Sequence, residues 1–285
     1  STSLMYNKAL FDKAGVPIPG ANWTYDDLKN VAIQLSEKLG KDNYALYDLS
    51  SDSGAFASYL GAYGKKLYDF DGERHFEKED AVNWFTFWAD LRAAGAVVPA
   101  DVQVANPPTA ADTTLVVKGQ VAIQAGSASQ LAGWQQLTQD TLGLLMFPSG
   151  PAGSGMVPPL SGQYITAYAD TKHPEVVAKF IDFMVNDPEA GVILGNTRGV
   201  PPAGKIRDTL AAQATPVDQV MYDYISLVAD TAPPVNWVQF PVDNELIALM
   251  KLTTEKIGFN AKSVDAAVDE FMTEVDKLIA KSKVQ

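Results

Sequence analysis

Apolar positions recur along this chain at helical spacing in several long windows. Leu28, Val31, Ala32 and Leu35 line one face of a segment that opens at Thr24, a good N-cap, and carries Asp26 and Asp27 where the helix dipole favours acids. Val82, Phe85, Trp88 and Leu91 mark a long amphipathic helix over 78–94, and Gly95 stands where a terminating glycine belongs. Similar reasoning predicts helices over 7–13 (ended by Gly15), 24–39 (ended by Gly40), 56–63, 113–118, 132–139, 174–186, 188–194, 218–229, 244–257 and 263–281. Short apolar runs bounded by turn residues predict strands at 44–49, 120–124, 142–147 and 163–169, with a hairpin-like turn over 66–72. Strands alternating with longer helices indicate an α/β architecture.

Proline and glycine divide the chain. A linker rich in proline and small residues spans 98–111, and a Pro-rich loop covers 233–241. Residues 148–159 hold four Pro, three Gly and two Ser, and Val200-Pro201-Pro202 is a second hard break. These two breaks suggest a chain that leaves one lobe and later returns to it.

Composition narrows the function classes. Of 285 residues, 47% are hydrophobic and 20% charged, which suits a packed globule. A formal net charge of −12, with no Lys/Arg stripe, repels phosphate backbones and argues against nucleic acid as a partner. There is no cysteine, so disulfides, thiol nucleophiles and iron–sulfur sites are excluded. No run approaches the ~20 apolar residues of a membrane span. The start, Ser1-Thr2-Ser3, carries no signal-peptide pattern.

Catalytic chemistry finds few residues. The two histidines, His75 in a charged turn and His173 ahead of Pro174, read as surface groups. No metal and no cofactor is expected from this inventory. The Gly150–Gly155 run lacks the lysine and following helix of a phosphate loop and reads as a connector. Carboxylates fall in helix first turns or on polar helix faces, and no spacing singles out an acid and a base. A carbohydrate hydrolase stays open as an alternative, with binding without turnover as the first reading.

Three stretches carry a resemblance. Ser3-Leu4-Met5-Tyr6-Asn7-Lys8-Ala9-Leu10-Phe11-Asp12-Lys13-Ala14-Gly15, followed by Trp23-Thr24-Tyr25-Asp26-Asp27-Leu28, resembles the opening signature of family 1 extracellular solute-binding proteins, the maltose-binding-protein group of ABC-transporter receptors. Lys118-Gly119-Gln120-Val121-Ala122-Ile123 with Gly126 is similar to a second element of that family. Pro188-Glu189-Ala190-Gly191, then Gly199-Val200-Pro201, is similar to its helix and crossover. Each stretch also has a plain structural reading: Tyr6 and Trp23 as core aromatics, Pro188-Glu189 as an ordinary helix start.

The resemblance implies a periplasmic-binding-protein-like type II fold and an extracytoplasmic receptor, in the periplasm or on the cell surface as a lipoprotein. It would close two lobes on a sugar or oligosaccharide and deliver it to membrane permease subunits. By this correspondence residues 1–146 and 203–285 form the C-terminal lobe, and 147–202 belong to the N-terminal lobe. Ser1 then falls almost on the first crossing between lobes, with roughly a hundred residues of the first lobe expected before it. Without that partner, 147–202 should expose apolar surface or rearrange.

Sugar recognition combines aromatic faces with planar polar groups. By position relative to the family pattern, the ligand-contact candidates lie in five loops: Asp52, Ser53 and Phe56; Ser127, Ser129 and Gln130; Ser161, Gly162, Gln163 and Tyr164; Arg198; and Trp237, Gln239 and Asn244. Trp237 is the candidate sugar platform, because it sits in a loop and not on a helix stripe like Trp84 and Trp88. Arg198 is either a ligand contact or part of an interlobe ion pair. Ala128 stands where the maltose-binding group places a tryptophan, which argues against a maltose-type subsite. The rival readings are a non-binding fragment or interaction module, and a receptor for a non-sugar solute.

Overall fold

The computed structural model of this chain describes residues 2–40, 43–68, 72–107, 110–154, 165–197, 199–231 and 242–282. Its centre is a four-stranded sheet of order β2-β3-β1-β4, formed by β1 (Thr2–Asn7), β2 (Tyr44–Leu46), β3 (Val121–Ser127) and β4 (Leu142–Leu145). β2 runs parallel to β3, while β1 is antiparallel to both β3 and β4. The carboxyl ends of β2, β3 and β4 therefore share one edge. A bridge from Leu46 to Val97 brings the chain after α4 (Lys78–Ala93) alongside β2.

Strand β1 does not appear among the sequence-based expectations. Ser3, Leu4, Met5 and Asn7 are all buried, so the strand is covered on both faces and lacks the alternation that marks a half-exposed one. It ends in Asn7, which caps α1 (Lys8–Ala14) by accepting from the Leu10 amide. The Asn7 amide nitrogen donates to the Val116 carbonyl and to Asp140, so one side chain joins three segments. Gly15 ends α1 in the left-handed conformation.

Helix α2 (Tyr25–Leu39) opens with the reciprocal Thr24/Asp27 capping box, and buries Leu28, Ala32 and Leu35 as its period requires. The Trp23 indole N–H donates to the Met146 carbonyl at 2.9 Å, tying this entry to the end of β4. α3 (Ser53–Ala62) is apolar nearly all round and is buried accordingly. Against it pack α4 and α11 (Asp243–Gly258), with α12 (Val264–Ser282) packed on both of these, around Phe56, Phe76, Trp84, Trp88 and Phe271.

The expected 98–111 linker contains a helix, α5 (Ala100–Ala105), started by Pro99 and too short to show a period. The helix expected over 113–118 is absent. Thr113 ends a single 3-10 turn, and a hydrogen-bonded turn carries the chain on to Gly119. Thr113, Thr114, Val116 and Val117 are β-branched and resist helix. α6 (Leu131–Gln135) is shorter than predicted. Of the strand expected at 163–169, residues 165–169 have no strand pairing, and 163–164 lie outside the described residues. α7 (Pro174–Asn186), α8 (Pro188–Leu194) and α10 (Pro216–Thr231) match the reading, while α9 (Gly204–Ala211), with Ile206 as its one buried residue, was not foreseen. Both histidines are exposed.

After β4 a tight hairpin, β5 (Ser149–Gly150) and β6 (Gly153–Ser154), lies against the end of α3. A Cβ on Gly150 would sit 2.6 Å from the Ala62 carbonyl oxygen, a backbone atom that cannot swing away. Gly150→Ala is expected to cost about 1–3 kcal/mol, as overpacking does, and to lower the melting temperature by several degrees in calorimetry. An unchanged melting temperature would show that the hairpin does not press on α3.

No residue of α7 is buried, although Val176, Phe180 and Phe183 form an apolar stripe at helical spacing.

Candidate ligand-binding site

Open α/β sheets place their ligands outside the carboxyl ends of the strands. At that edge lies a cavity of about 320 Å³. One wall is the turn between β2 and α3, with Tyr47, Asp48, Ser51, Asp52 and Ser53. The floor is Gln124 and Ala125 of β3. α5 contributes Gln103 and Val104, and α11 contributes Ile247, Lys251, Thr254, Glu255 and Gly258 at helical spacing, with Phe259 just after it. Val104, Ile247 and Phe259 are among the exposed large apolar residues, so the cavity has an apolar rim around polar groups.

Asp48 organises the turn. Its carboxylate is 3% exposed and meets Arg92 of α4, whose Nε and Nη2 both lie 2.5 Å from Oδ2. Its other oxygen accepts from the Ser50 amide at 2.8 Å. The Gln103 side chain holds the Asp48 backbone on both sides, donating to its carbonyl at 2.9 Å and accepting from its N–H at 3.2 Å. Arg92 Nη2 also donates to Ser50 Oγ at 2.7 Å, and Ser50 Oγ meets Thr254 Oγ1 of α11 at 2.9 Å. The Tyr47 hydroxyl donates to the Asn106 carbonyl, and burial beside Asp48 pushes its phenol up to about 12.

Asp52 caps α3, accepting from the Ala55 amide at 2.8 Å. It is open to solvent, yet it sits in a concavity with protein crowded around it, and this loss of hydration raises its carboxyl above the usual range. Hydrogen bonds from the Ala55 and Gly54 amides oppose that shift. The other charges of the cavity are matched: Arg92 with Asp48, and Lys251 with Glu255 at 4.0 Å. Among the described residues no cation pairs with Asp52.

Of the sequence-predicted contacts, Asp52 and Ser53 line the cavity. Phe56 is one turn further along α3 but fully enclosed, at 0% exposure, with its ring against Tyr59, Phe76 and Trp84. Ser127, the last residue of β3, gathers with Ser129 and Gln130 just after it, where Gln130 accepts from the Ser127 amide and the two serine hydroxyls meet at 3.0 Å. They stand beyond the cavity's β3 residues and do not line it. Asn244 is exposed, one turn before Ile247 on α11. Ser161, Gly162, Gln163, Tyr164, Arg198, Trp237 and Gln239 lie outside the described residues.

Sequence reading missed Asp48, Arg92, Gln103, Gln124, Lys251 and Glu255. Lys251 and Glu255 follow Ile247 at four-residue spacing, a signal already in the predicted helix. Nothing local marks Arg92 or Gln103.

The arrangement suits binding through hydrogen bonds and apolar contact. Among the described residues no group of His, Asp or Glu could hold a metal ion, and no helix is long and apolar enough to cross a membrane.

Comparison with known proteins agrees. The profile described as bacterial extracellular solute-binding protein matches residues 1–191. A binding protein of Brucella abortus is 24% identical over 188 residues, which are 64% of this chain and 44% of that protein. The match thus spans less than half the length of this curated relative. Among solved structures, a family 1 extracellular solute-binding protein of Alicyclobacillus acidocaldarius superposes with a TM-score of 0.79 at 22% identity, covering 98% of this chain and 69% of the other. An oligogalacturonide-binding protein of Yersinia enterocolitica, in complex with saturated digalacturonic acid, gives 0.84 at 20% identity, covering 99% and 72%. With the profile spanning two thirds of its length and the sheet edge arranged as a binding wall, this chain belongs to the bacterial extracellular solute-binding proteins.

Proposed function

We propose that this chain is the ligand-binding component of an ABC importer, taking a sugar or oligosaccharide in a cleft and delivering it to permease subunits outside the cytoplasm. The observation that carries the reading is the cavity at the shared carboxyl edge of β2 and β3, where Asp52, Ser53, Gln103 and Lys251 offer planar or charged polar groups and the exposed Phe259 lines the rim. The Yersinia relative, bound to a digalacturonic acid, supports a saccharide as the ligand class.

In this reading residues 1–146 and 203–285 form one lobe, and 147–202 complete a second. The exposed stripe Val176, Phe180 and Phe183 on α7 favours that division, because an apolar helix face normally lies against another element. Ser127, Ser129, Gln130 and Asn244 extend the wall, and Ser161, Gly162, Gln163, Tyr164, Arg198, Trp237 and Gln239 supply the remaining contacts, with Trp237 as the stacking platform. Phe56 supports the wall from beneath. The role is capture and release, without turnover.

The test is calorimetric titration of neutral, amino and uronic oligosaccharides against the chain. Asp52→Asn is expected to weaken the best ligand about tenfold, the scale of one lost charge-assisted hydrogen bond. Trp237→Ala should weaken a stacked sugar by a similar factor, and leave a non-sugar solute unaffected. Failure of every saccharide to bind, with another solute binding in their place, would overturn the sugar reading.

Asp52→Asn also carries a stability signature. A raised native carboxyl value means that the folded state holds the proton more readily than the unfolded chain. Asp52 therefore costs nothing where both states are protonated. The cost grows as pH rises from the ordinary 3.8 through the native value. Asparagine caps a helix as well as aspartate does. The variant should match or exceed the parent in melting temperature at pH 7, and show a flatter profile between pH 4 and 7. A less stable variant at pH 7 would refute the argument from lost hydration.

A further inference from the structure

We infer that Arg92 is the positioning residue of the cavity: through Asp48 and Ser50 it fixes the β2–α3 turn that presents Asp52 and Ser53, and through Ser50 and Thr254 it locks that turn to α11. This rests on the cavity being the ligand site.

The two walls of the cavity come from remote parts of the chain, and backbone pairing does not join them directly. The turn leaves β2 at Leu46 and re-enters regular structure at Ser53, and α11 begins at Asp243. What spans the gap is a chain of polar contacts. Arg92 contacts Asp48 with Nε and Nη2, and Ser50 Oγ with Nη2. Ser50 is engaged through every polar atom: its amide on Asp48, its hydroxyl on Arg92 and Thr254, and its carbonyl on the Trp84 indole N–H at 3.0 Å.

Arg92 and Trp84 both rise from α4, a long helix set in the core, so the turn takes its position from a rigid element. Arg92 is 14% exposed, Asp48 3%, and Ser50 and Thr254 are buried, which removes competition from water. The planar, forked guanidinium can hold two acceptors in fixed directions; an ammonium at the same place would hold them as a point charge, without the angle. Asp52, two residues past Ser50, inherits the geometry through the Asp52 N–H bond to the Leu49 carbonyl at 2.9 Å.

The test uses the chain without ligand, so its failure leaves the proposed function standing, and a failure to find a sugar leaves this result readable. Amide hydrogen exchange and carbon-detected NMR titration of the Asp52 carboxyl are measured in Arg92→Met, Arg92→Lys and Thr254→Val. Arg92→Met should speed exchange at Asp52, Ala55 and Phe56 about tenfold, as local opening becomes easier. The Asp52 titration should then move toward that of an ordinary carboxyl, because a loosened turn lets water in.

Arg92→Lys, which keeps the charge and loses the fork, should recover only part of both readouts. Thr254→Val, close in shape, should speed exchange in the turn a few-fold without affecting exchange in the rest of α11. If Arg92→Met melts lower but turn exchange and the Asp52 titration stay as in the parent, Arg92 is a stabilising ion-pair partner only and the inference is wrong. If Arg92→Met does not fold, Arg92→Lys and Thr254→Val decide in the same way.

Discussion

Replacing Phe56 by alanine is expected to lower the free energy of unfolding by about 3–5 kcal/mol, the usual cost of removing an enclosed aromatic side chain. Phe56 has no exposed surface, and its ring meets Phe76 edge-on at 5.3 Å, Trp84 at 5.5 Å and Tyr59 at 6.4 Å. Those neighbours are themselves held by α4 and α12, so the site cannot collapse to fill the void, and the cavity penalty adds to the transfer term. The residue lies on α3 one turn beyond Asp52, which makes the experiment informative about function as well. Denaturant unfolding should show the full loss, while ligand affinity, measured where the variant is still folded, should fall less than in Asp52→Asn, because Phe56 supports the wall without touching ligand. A loss below about 1 kcal/mol would mean that the aromatic cluster is not a tightly packed core.

The second large effect is Arg92→Met, expected to cost about 3–5 kcal/mol because it strands the Asp48 carboxylate, only 3% exposed, without its cation. Removing one partner of a buried pair is worse than removing both. The double variant Asp48→Asn/Arg92→Met should therefore lose clearly less than the sum of the two single variants, since no unpaired charge remains. Equilibrium unfolding of the three variants checks this. Strict additivity would show that water reaches Asp48 and that the pair behaves like an exposed one, worth about 0–1 kcal/mol.

Much of the helical framework was legible from local pattern. Thr24 with Asp27, Gly15, Gly95 and Pro174 mark helix ends through chemistry confined to a few residues, and the structure uses each of them. Strand β1 was not legible, because a strand covered on both faces has no alternation. Helices α5 and α9 were too short or too polar to show a period. The 113–118 segment was misread because its apolar residues, Leu115, Val116 and Val117, are buried through a turn whose Val116 backbone is held by the Asn7 and Gln124 side chains.

For the site, the chain by itself determined the family signature, the α/β class and two of the cavity residues, Asp52 and Ser53, since a polar loop directly after a strand is a local feature. Only the tertiary structure decided that Phe56, next to them, faces inward, and that Gln103, Gln124 and Lys251 face the same cavity. The polar link from Asp48 through Arg92 and Ser50 to Thr254 joins residues 44 and 204 positions apart. Caps and turns act between neighbours and leave their mark in short words of sequence. A bond across such separations depends on how helices pack on a sheet, and the residues that make it carry no mark until the chain has folded.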